Sequence, residues 1–484
     1  MPLPPTRFRA LFATAILTAG IATAVAGTPV VSTADKTVIA PDNNPLCLFN
    51  DKLCFDFEER IRWENRENNY DFNSHLRSPN DGNWVQNRVR LGALWKPTDW
   101  LKIYAQGQDS REWNSNRDKI PGNLGAEGDD AFDLRQAYVE IGNSKDFPLV
   151  VKVGRQILSY GDERLIGSFD WNNFGRTFDA VKVSWKTPQW QLDAFASSVV
   201  VIDRAEFNTS DLFNANTNDR QQVFSGLYFT DGSLSIGSLE LYALWLSQAN
   251  GAVSNQESAV PFTTPTTGPT SKPSSFGTYG GRLHGDPKKL HGFEFDLEGA
   301  YQNGLLRGQQ LDAFAVHSGL GYNFYDVPLK PRIWAEYNFA SGDRSTTDNR
   351  SETFQNLFPT NHKFYGYMDL FSWQNMQNPT VSLQLTPVKN LTAEVAYRAY
   401  WLASTNDLWY RANGLTTVRP LTPATKNASN FVGTELDLLL TWKATKHLSF
   451  QGGFSHFFQG DYLSSSGGPS DDANFGFLMA TVSY

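Results

Sequence analysis

Along most of this chain, side chains that tolerate hydrocarbon alternate one for one with charged and polar ones, in segments of about ten residues. In residues 391–402, Leu391, Ala393, Val395, Tyr397, Ala399 and Trp401 share one parity, and Glu394 and Arg398 share the other. Residues 431–443 set Val432, Leu436, Leu438, Leu440 and Trp442 against Glu435 and Asp437. Residues 292–303 set Phe293, Phe295, Leu297 and Tyr301 against Glu294, Asp296 and Glu298. A period of two is that of a β-strand with unlike faces. One face carries too many charges for a dry core, where unpaired ions are very costly, so it meets water. The other is fit for lipid, where an Arg or Lys at mid-membrane costs about 2–4 kcal/mol and a carboxylate less.

The segments that read this way are 54–66, 84–96, 100–110, 132–142, 149–158, 178–187, 190–200, 219–230, 235–247, 276–284, 292–303, 309–325, 331–341, 378–387, 391–402, 431–443, 447–459 and 473–484. They number eighteen, and an even count suits a closed barrel. Tight turns at Pro97-Thr98-Asp99, Thr187-Pro188-Gln189, Pro387-Val388-Lys389-Asn390 and Ala444-Thr445-Lys446 take turns with long polar loops at 67–83, 111–131, 159–177, 201–218, 248–275, 342–377 and 404–430. Aromatics flank the tight turns, as in Trp95-Lys-Pro-Thr-Asp-Trp100, Trp185-Lys-Thr-Pro-Gln-Trp190 and Trp442-Lys-Ala-Thr-Lys-His-Leu448, which fits a belt at a membrane boundary. No fixed repeat period supports a solenoid or propeller. The expectation is an all-β chain: a single antiparallel transmembrane β-barrel of about 18 strands, with short periplasmic turns and long extracellular loops. Barrels of this width enclose an aqueous lumen.

Parity fails in three places. Glu59 falls in phase with Phe57, Ile61 and Trp63, which calls for a bulge or another register. Arg135 aligns with Val139, and Arg155 with Val153; a β-bulge would re-aim such side chains inward.

The chain ends and composition agree with export. Arg7 and Arg9 precede an apolar or small run from Ala10 to Val25, and Ala24-Val25-Ala26 is an A-x-A cleavage site. Residues 1–26 therefore read as a signal peptide cleaved at Ala26–Gly27, rather than a retained anchor. Residues 27–53 read as an N-terminal periplasmic segment, and 54–484 as the barrel. Beyond the leader no run reaches the roughly 20 apolar residues of a membrane helix, so membrane residence must be as strands. Leu478, Ala480, Val482 and Tyr484 give an apolar alternating last strand ending on an aromatic, similar to the sorting signal of bacterial outer-membrane barrels. Localisation in a Gram-negative outer membrane, in contact with its lipid, follows. The formal charge of −8 argues against a nucleic-acid partner. An oxidising compartment makes a disulfide between Cys47 and Cys54 the default, and no His or further Cys stands at metal-ligand spacing.

Cations expected to line the lumen are Arg60, Arg62, Arg88, Arg90, Arg135, Arg155, Arg282, Arg332 and Arg398; the anions include Glu294, Asp296, Glu394, Glu435 and Asp437. Guanidinium groups attract anions and grip carboxylates in a forked geometry, though arginines also tie neighbouring strands together. Catalysis is not expected. His317 and Ser318 are adjacent on a strand and point to opposite faces, and no phosphate loop, HExxH or GxSxG occurs. No cofactor is implied.

Asp133-Leu-Arg-Gln-Ala-Tyr-Val-Glu-Ile-Gly142, Val151-Lys-Val-Gly-Arg-Gln156 and Trp171-Asn-Asn-Phe-Gly-Arg-Thr-Phe-Asp179, followed by Val181-Lys-Val183, resemble the alginate-export family of outer-membrane barrels. Leu357-Phe-Pro-Thr-Asn-His362 and Val432-Gly-Thr-Glu-Leu-Asp437 are similar to later parts of its pattern. The resemblance implies an eighteen-stranded porin-like channel through which an anionic uronate polysaccharide leaves the cell; the direction of transport is expected to come from a periplasmic secretion complex or a concentration gradient. It matches Arg135 and Arg155 to channel-facing arginines and Arg176 to the family's Gly-Arg-Thr-Phe-Asp loop. Passive passage along an arginine-containing lumen, narrowed by loops 159–177 and 342–377, is the expected mechanism. The alternatives are a general or substrate-specific uptake porin for small polar solutes, and a non-conducting surface adhesin or anchor barrel.

Overall fold

The structure is a computed structural model, and it describes residues 46–75, 81–115, 128–202, 207–210, 222–248, 272–414 and 416–484. The expected signal peptide, most of the 27–53 segment and most of loop 248–275 lie outside these residues.

Eighteen strands form the wall, each antiparallel to the next from Leu53–Glu67 round to Ala473–Ser483. The first and last strands pair with each other, Ile61 opposite Ala480, and close the barrel. Every strand expected from parity is present, with ends shifted by a few residues.

The wall is apolar outside and charged inside. In Leu53–Glu67, Arg60, Arg62, Glu64 and Arg66 are buried while Ile61 and Trp63 are exposed. Leu320 and Leu478 are 62% and 63% exposed, which only hydrocarbon makes favourable. Trp95, Trp100, Trp185 and Trp442 stand outward beside the periplasmic turns, where aromatic belts sit.

Two irregularities have identifiable causes. Gln106 pairs with Gln136 and Gly107 with Leu134, so Arg135 is an extra residue. This bulge turns both Arg135 and Gln136 inward. The Leu149–Gln156 strand is short, and its ladder with Asp130–Ile141 stops at Ala137–Arg155. The upper part of that neighbour is covered instead by residues 207–210, where the Asn208 amide nitrogens donate to Asp133 and Asp130.

Glu59 needs no bulge. The ladder with Gly82–Thr98 runs unbroken through Glu59–Val89, so this carboxylate does face outward.

Cys47 and Cys54 are joined and pair across a two-residue ladder below the first strand. Closing so short a loop contributes about 2–3 kcal/mol to that ladder and touches no barrel register. Reduction is expected to free residues 47–48 while leaving the heat-resistant migration of the folded barrel in SDS electrophoresis unchanged.

The extracellular half of the lumen is filled from above. Leu158, Leu165 and Ile166 of segment 157–177 and Phe354, Leu357, Phe358, Phe371 and Trp373 of segment 341–375 join one buried cluster with the inner-wall residues Phe178, Phe195, Phe224 and Phe276. Phe358 stands edge-on to Phe178 at 5.2 Å, and Phe371 stacks on Tyr400 at 4.2 Å. Both loops expected to narrow the lumen fold into it.

Candidate functional site

Three of the first four strands put five arginines on one stretch of inner wall. Arg60 and Arg62 come from Leu53–Glu67, Arg88 and Arg90 from Gly82–Thr98, and Arg135 from the bulge of Asp130–Ile141. Arg60 lies directly opposite Arg88 across the ladder, a like-charge pairing that is unfavourable without counter-charge. Segment 157–177 supplies it. The Asp170 carboxylate lies 3.1 Å from Arg88 Nη2, 2.8 Å from Arg90 Nη1 and 3.5 Å from Arg135 Nη2. Glu58 on the wall takes the other side of Arg88, at 3.0 Å from its Nε.

Further donors of the cluster go to the same loop's backbone. Arg60 donates to the carbonyls of Asp170 at 2.6 Å, Trp171 at 3.2 Å and Asn172 at 3.0 Å. Arg62 donates to the Trp171 carbonyl at 2.6 Å, lies 4.0 Å from the Trp171 ring centroid, and pairs with Glu64 at 2.7 Å. Burial by itself would raise the Asp170 carboxyl, but the guanidinium groups of Arg88, Arg90, Arg135 and Arg60 outweigh it and hold the group well below the usual carboxylate range. The Asp170 side chain nevertheless remains 46% exposed, open to exchange with another anion.

Arg176 is placed differently. Its Nη1 donates to the carbonyls of Gly167 at 3.0 Å and Pro359 at 2.9 Å, and to that of Phe358, so it pins the two lumen loops together. Arg155 departs from its expected position in the lumen. It shares the outward parity of Val151 and Val153, pairs with Asp179 at 2.9 Å, and donates to the Leu134 carbonyl at 3.0 Å. The physical reason is the short strand: Arg155 supplies the donor that a longer ladder would have given Leu134.

The other expected charges lie inward in two further groups. Arg282 pairs with Asp296, and its Nη1 lies 3.0 Å from Glu240; Glu298 accepts from Tyr242 at 2.9 Å. Arg332 reaches Glu294 at 2.5 Å, Arg398 pairs with Asp437, and Glu435 accepts from Tyr400 at 3.2 Å. Glu394, Arg332 and Trp334 are only half-buried, along with Gln384, Gln451 and Met479, and mark the side that opens toward the periplasmic end. The lumen is thus of mixed sign: on strands one to four the clustered arginines stand among buried carboxylates such as Asp56, Glu64 and Glu112, and the wall across from them is predominantly acidic. His317 faces inward against Asn338 at 2.7 Å, and Ser318 has the opposite parity, so the two form no dyad.

Sequence reasoning passed over Asp170 and Glu58, the two carboxylates that organise the arginine wall. It also passed over the aromatic density of 354–373, an apolar run inside a loop and hence a sign of burial.

A closed wall, lipid-facing outside and charged within, defines an outer-membrane β-barrel of the porin type, a channel. Family comparison is more specific: the alginate export family matches residues 52–477, and the chain belongs to that family. No curated protein sequence matches the chain. Among solved structures, OprD of Pseudomonas aeruginosa is 11% identical, with a TM-score of 0.53 and coverage of 95% of this chain and 98% of that one. OpdK of the same organism, solved with vanillate, is 12% identical, with a TM-score of 0.54 over 90% and 99% of the two chains. OccK11 (OpdR), also from that organism, is 13% identical, with a TM-score of 0.52 over 89% and 95%. At such identities the likeness is one of fold.

Proposed function

We propose that this barrel passes an anionic polysaccharide, or other polar solutes, across the outer membrane by passive diffusion. The single observation that carries this reading is the convergence of Arg88, Arg90 and Arg135 on one half-exposed carboxylate. A set of groups that binds Asp170 is chemically suited to the carboxylates of a uronate chain, since forked guanidinium–carboxylate contacts are the strong ones. Membership of the alginate export family supports the same cargo class. On this reading the chain reaches the membrane after loss of residues 1–26 at Ala26–Gly27, and a periplasmic complex or a concentration gradient gives direction.

The acidic wall around Asp296 and Glu298 supports a second reading, an uptake porin for small polar solutes. Planar-bilayer recording distinguishes them. The export reading expects anions to permeate better than cations, with block by added oligouronate. A strong cation preference overturns it, solute flux without oligouronate block favours uptake, and absence of any conductance favours an anchor barrel.

A further inference from the structure

Trp334 belongs to the strand Arg332–Ala340, shares the inward parity of Arg332, Glu336 and Asn338, and pairs with Gly321 of the strand Gln309–Asn323. Its indole rests on the wall itself. A Cβ on Gly319 would collide with Cζ2 of the ring, and one on Gly321 would stand 2.7 Å from Cε3. Two inward glycines on one strand thus form the bed that the six-membered ring lies across, a close approach that a larger residue would prevent. The Trp334 Nε1 donates to Glu336 at 2.8 Å, which fixes the ring in its plane. Tryptophans that fill the interior, such as Trp84, Trp373 and Trp409, are fully buried. Trp334 is half-buried, with wall on one side and the periplasmic part of the lumen on the other.

Polar groups with unspent bonding capacity stand beside it. Arg332 gives Nε to Glu294 at 2.5 Å, and its Cζ lies 4.9 Å from the Trp334 ring centroid. Among the described residues its Nη1 and Nη2 bond to nothing, and the side chains of Gln384 and Glu394, which follow Arg332 in the same row of the ladder, make no hydrogen bond. Farther up the lumen such groups close on one another, as Arg398 does with Asp437. An aromatic face beside free donors and acceptors is complementary to a pyranose ring, which has C–H groups on its faces and hydroxyls around its rim. The negative face of the indole attracts the C–H groups, and the polar side chains set the orientation. We propose that Trp334 is a stacking platform for a pyranose ring at the periplasmic mouth, with Arg332, Gln384 and Glu394 hydrogen-bonding the ring's rim. The platform is separate from the Asp170 cluster and rests on the proposed function only in taking a sugar as the solute.

Calorimetric titration of the full purified chain in detergent tests this, with trigalacturonate and its neutral counterpart maltotriose as probes. Trp334→Ala is expected to weaken binding about tenfold or more, and Trp334→Phe to keep most of it, with heat-modifiable migration preserved in both. Arg332→Gln separates the two sources of the ring. A selective loss of trigalacturonate makes a uronate the guest, since its carboxylate fits the free fork of the guanidinium. Trp334-dependent binding of maltotriose alone upholds the platform and counts against the anionic cargo. Absence of binding by either trisaccharide overturns the proposal, as does binding that Trp334→Ala leaves unchanged. Equal block of the unsubstituted and Trp334→Ala channels by trigalacturonate in planar bilayers overturns it too, while leaving the export reading in place.

Discussion

Replacing Asp170 by Asn is expected to raise single-channel conductance and shift selectivity further toward anions. The substitution removes the one carboxylate that three buried guanidinium groups share, and leaves Arg60 and Arg88 facing each other without it. An exposed pair contributes less than about 1 kcal/mol, and breaking a buried one costs 3–5 kcal/mol. A half-exposed carboxylate with buried partners falls between, at about 1–3 kcal/mol, or roughly a 5- to 150-fold change in the balance between the loop against the wall and the loop away from it. Asp170→Glu keeps the charge and should restore much of the closed behaviour. The pH dependence has a definite sign. Because the Asp170 carboxyl is held below its ordinary value, its contribution is complete above the unperturbed carboxylate range near pH 4 and is lost only as pH falls through the depressed value. Acidification from about pH 7 to pH 5 should therefore leave the loop in place. Unchanged conductance and selectivity in Asp170→Asn would mean that segment 157–177 does not limit the pore.

Which parts of this site could be read without coordinates follows from what parity encodes. A strand with lipid on one side must keep its charges on the other, so inward Arg60, Arg62, Arg88, Arg90, Arg282, Arg332 and Arg398 were legible from alternation, as was the closed barrel. Arg135 was legible only conditionally, because its inward aim depends on a bulge set by the register of Gly107 against Leu134. Arg155 was legible from parity alone, which aligns it with Val153 and hence outward; the inward expectation came from the resemblance and an assumed bulge, and both ladders run through Arg155 without a register shift. Parity also says nothing of loops, so the entry of Asp170 into the lumen had no periodic signal. Glu59 shows the converse: alternation placed it outward, the structure keeps it there, and the misfit belongs to the environment of the wall rather than to the register.

The arginine of the Gly-Arg-Thr-Phe-Asp motif leads to the other large expected effect. Arg176 is buried, and its guanidinium serves carbonyls from both lumen loops, those of Gly167, Phe358 and Pro359. It also lies 5.1 Å from the Phe169 ring centroid and 5.8 Å from that of Phe358. Arg176→Leu keeps the bulk and takes this donor from the Gly167 and Pro359 carbonyls in a dry setting, where each unsatisfied group costs about 1–3 kcal/mol before relaxation, while the Phe358 carbonyl still accepts from the Gly167 amide. Allowing for rearrangement, about 2–4 kcal/mol should be lost from the contact between the loops, or roughly one and a half to three orders of magnitude in its opening equilibrium. The parallel bridge between Ile166 and Phe358 then keeps only its backbone bonds, Phe358 N–H to Leu165 at 2.8 Å and Gly167 N–H to Phe358 at 2.7 Å, and its apolar packing. Hydrogen exchange at residues 357–375 is expected to accelerate accordingly, while the barrel amides and the heat-modifiable migration stay unchanged, because the carbonyls of Gly167, Phe358 and Pro359 that Arg176 serves all lie in loops. Arg176→Lys should recover only part of the protection, since a single ammonium cannot reach both loops in the fork that guanidinium provides. If exchange in 357–375 were the same in Arg176→Leu as in the unsubstituted chain, aromatic packing rather than this arginine would be what holds the plug together.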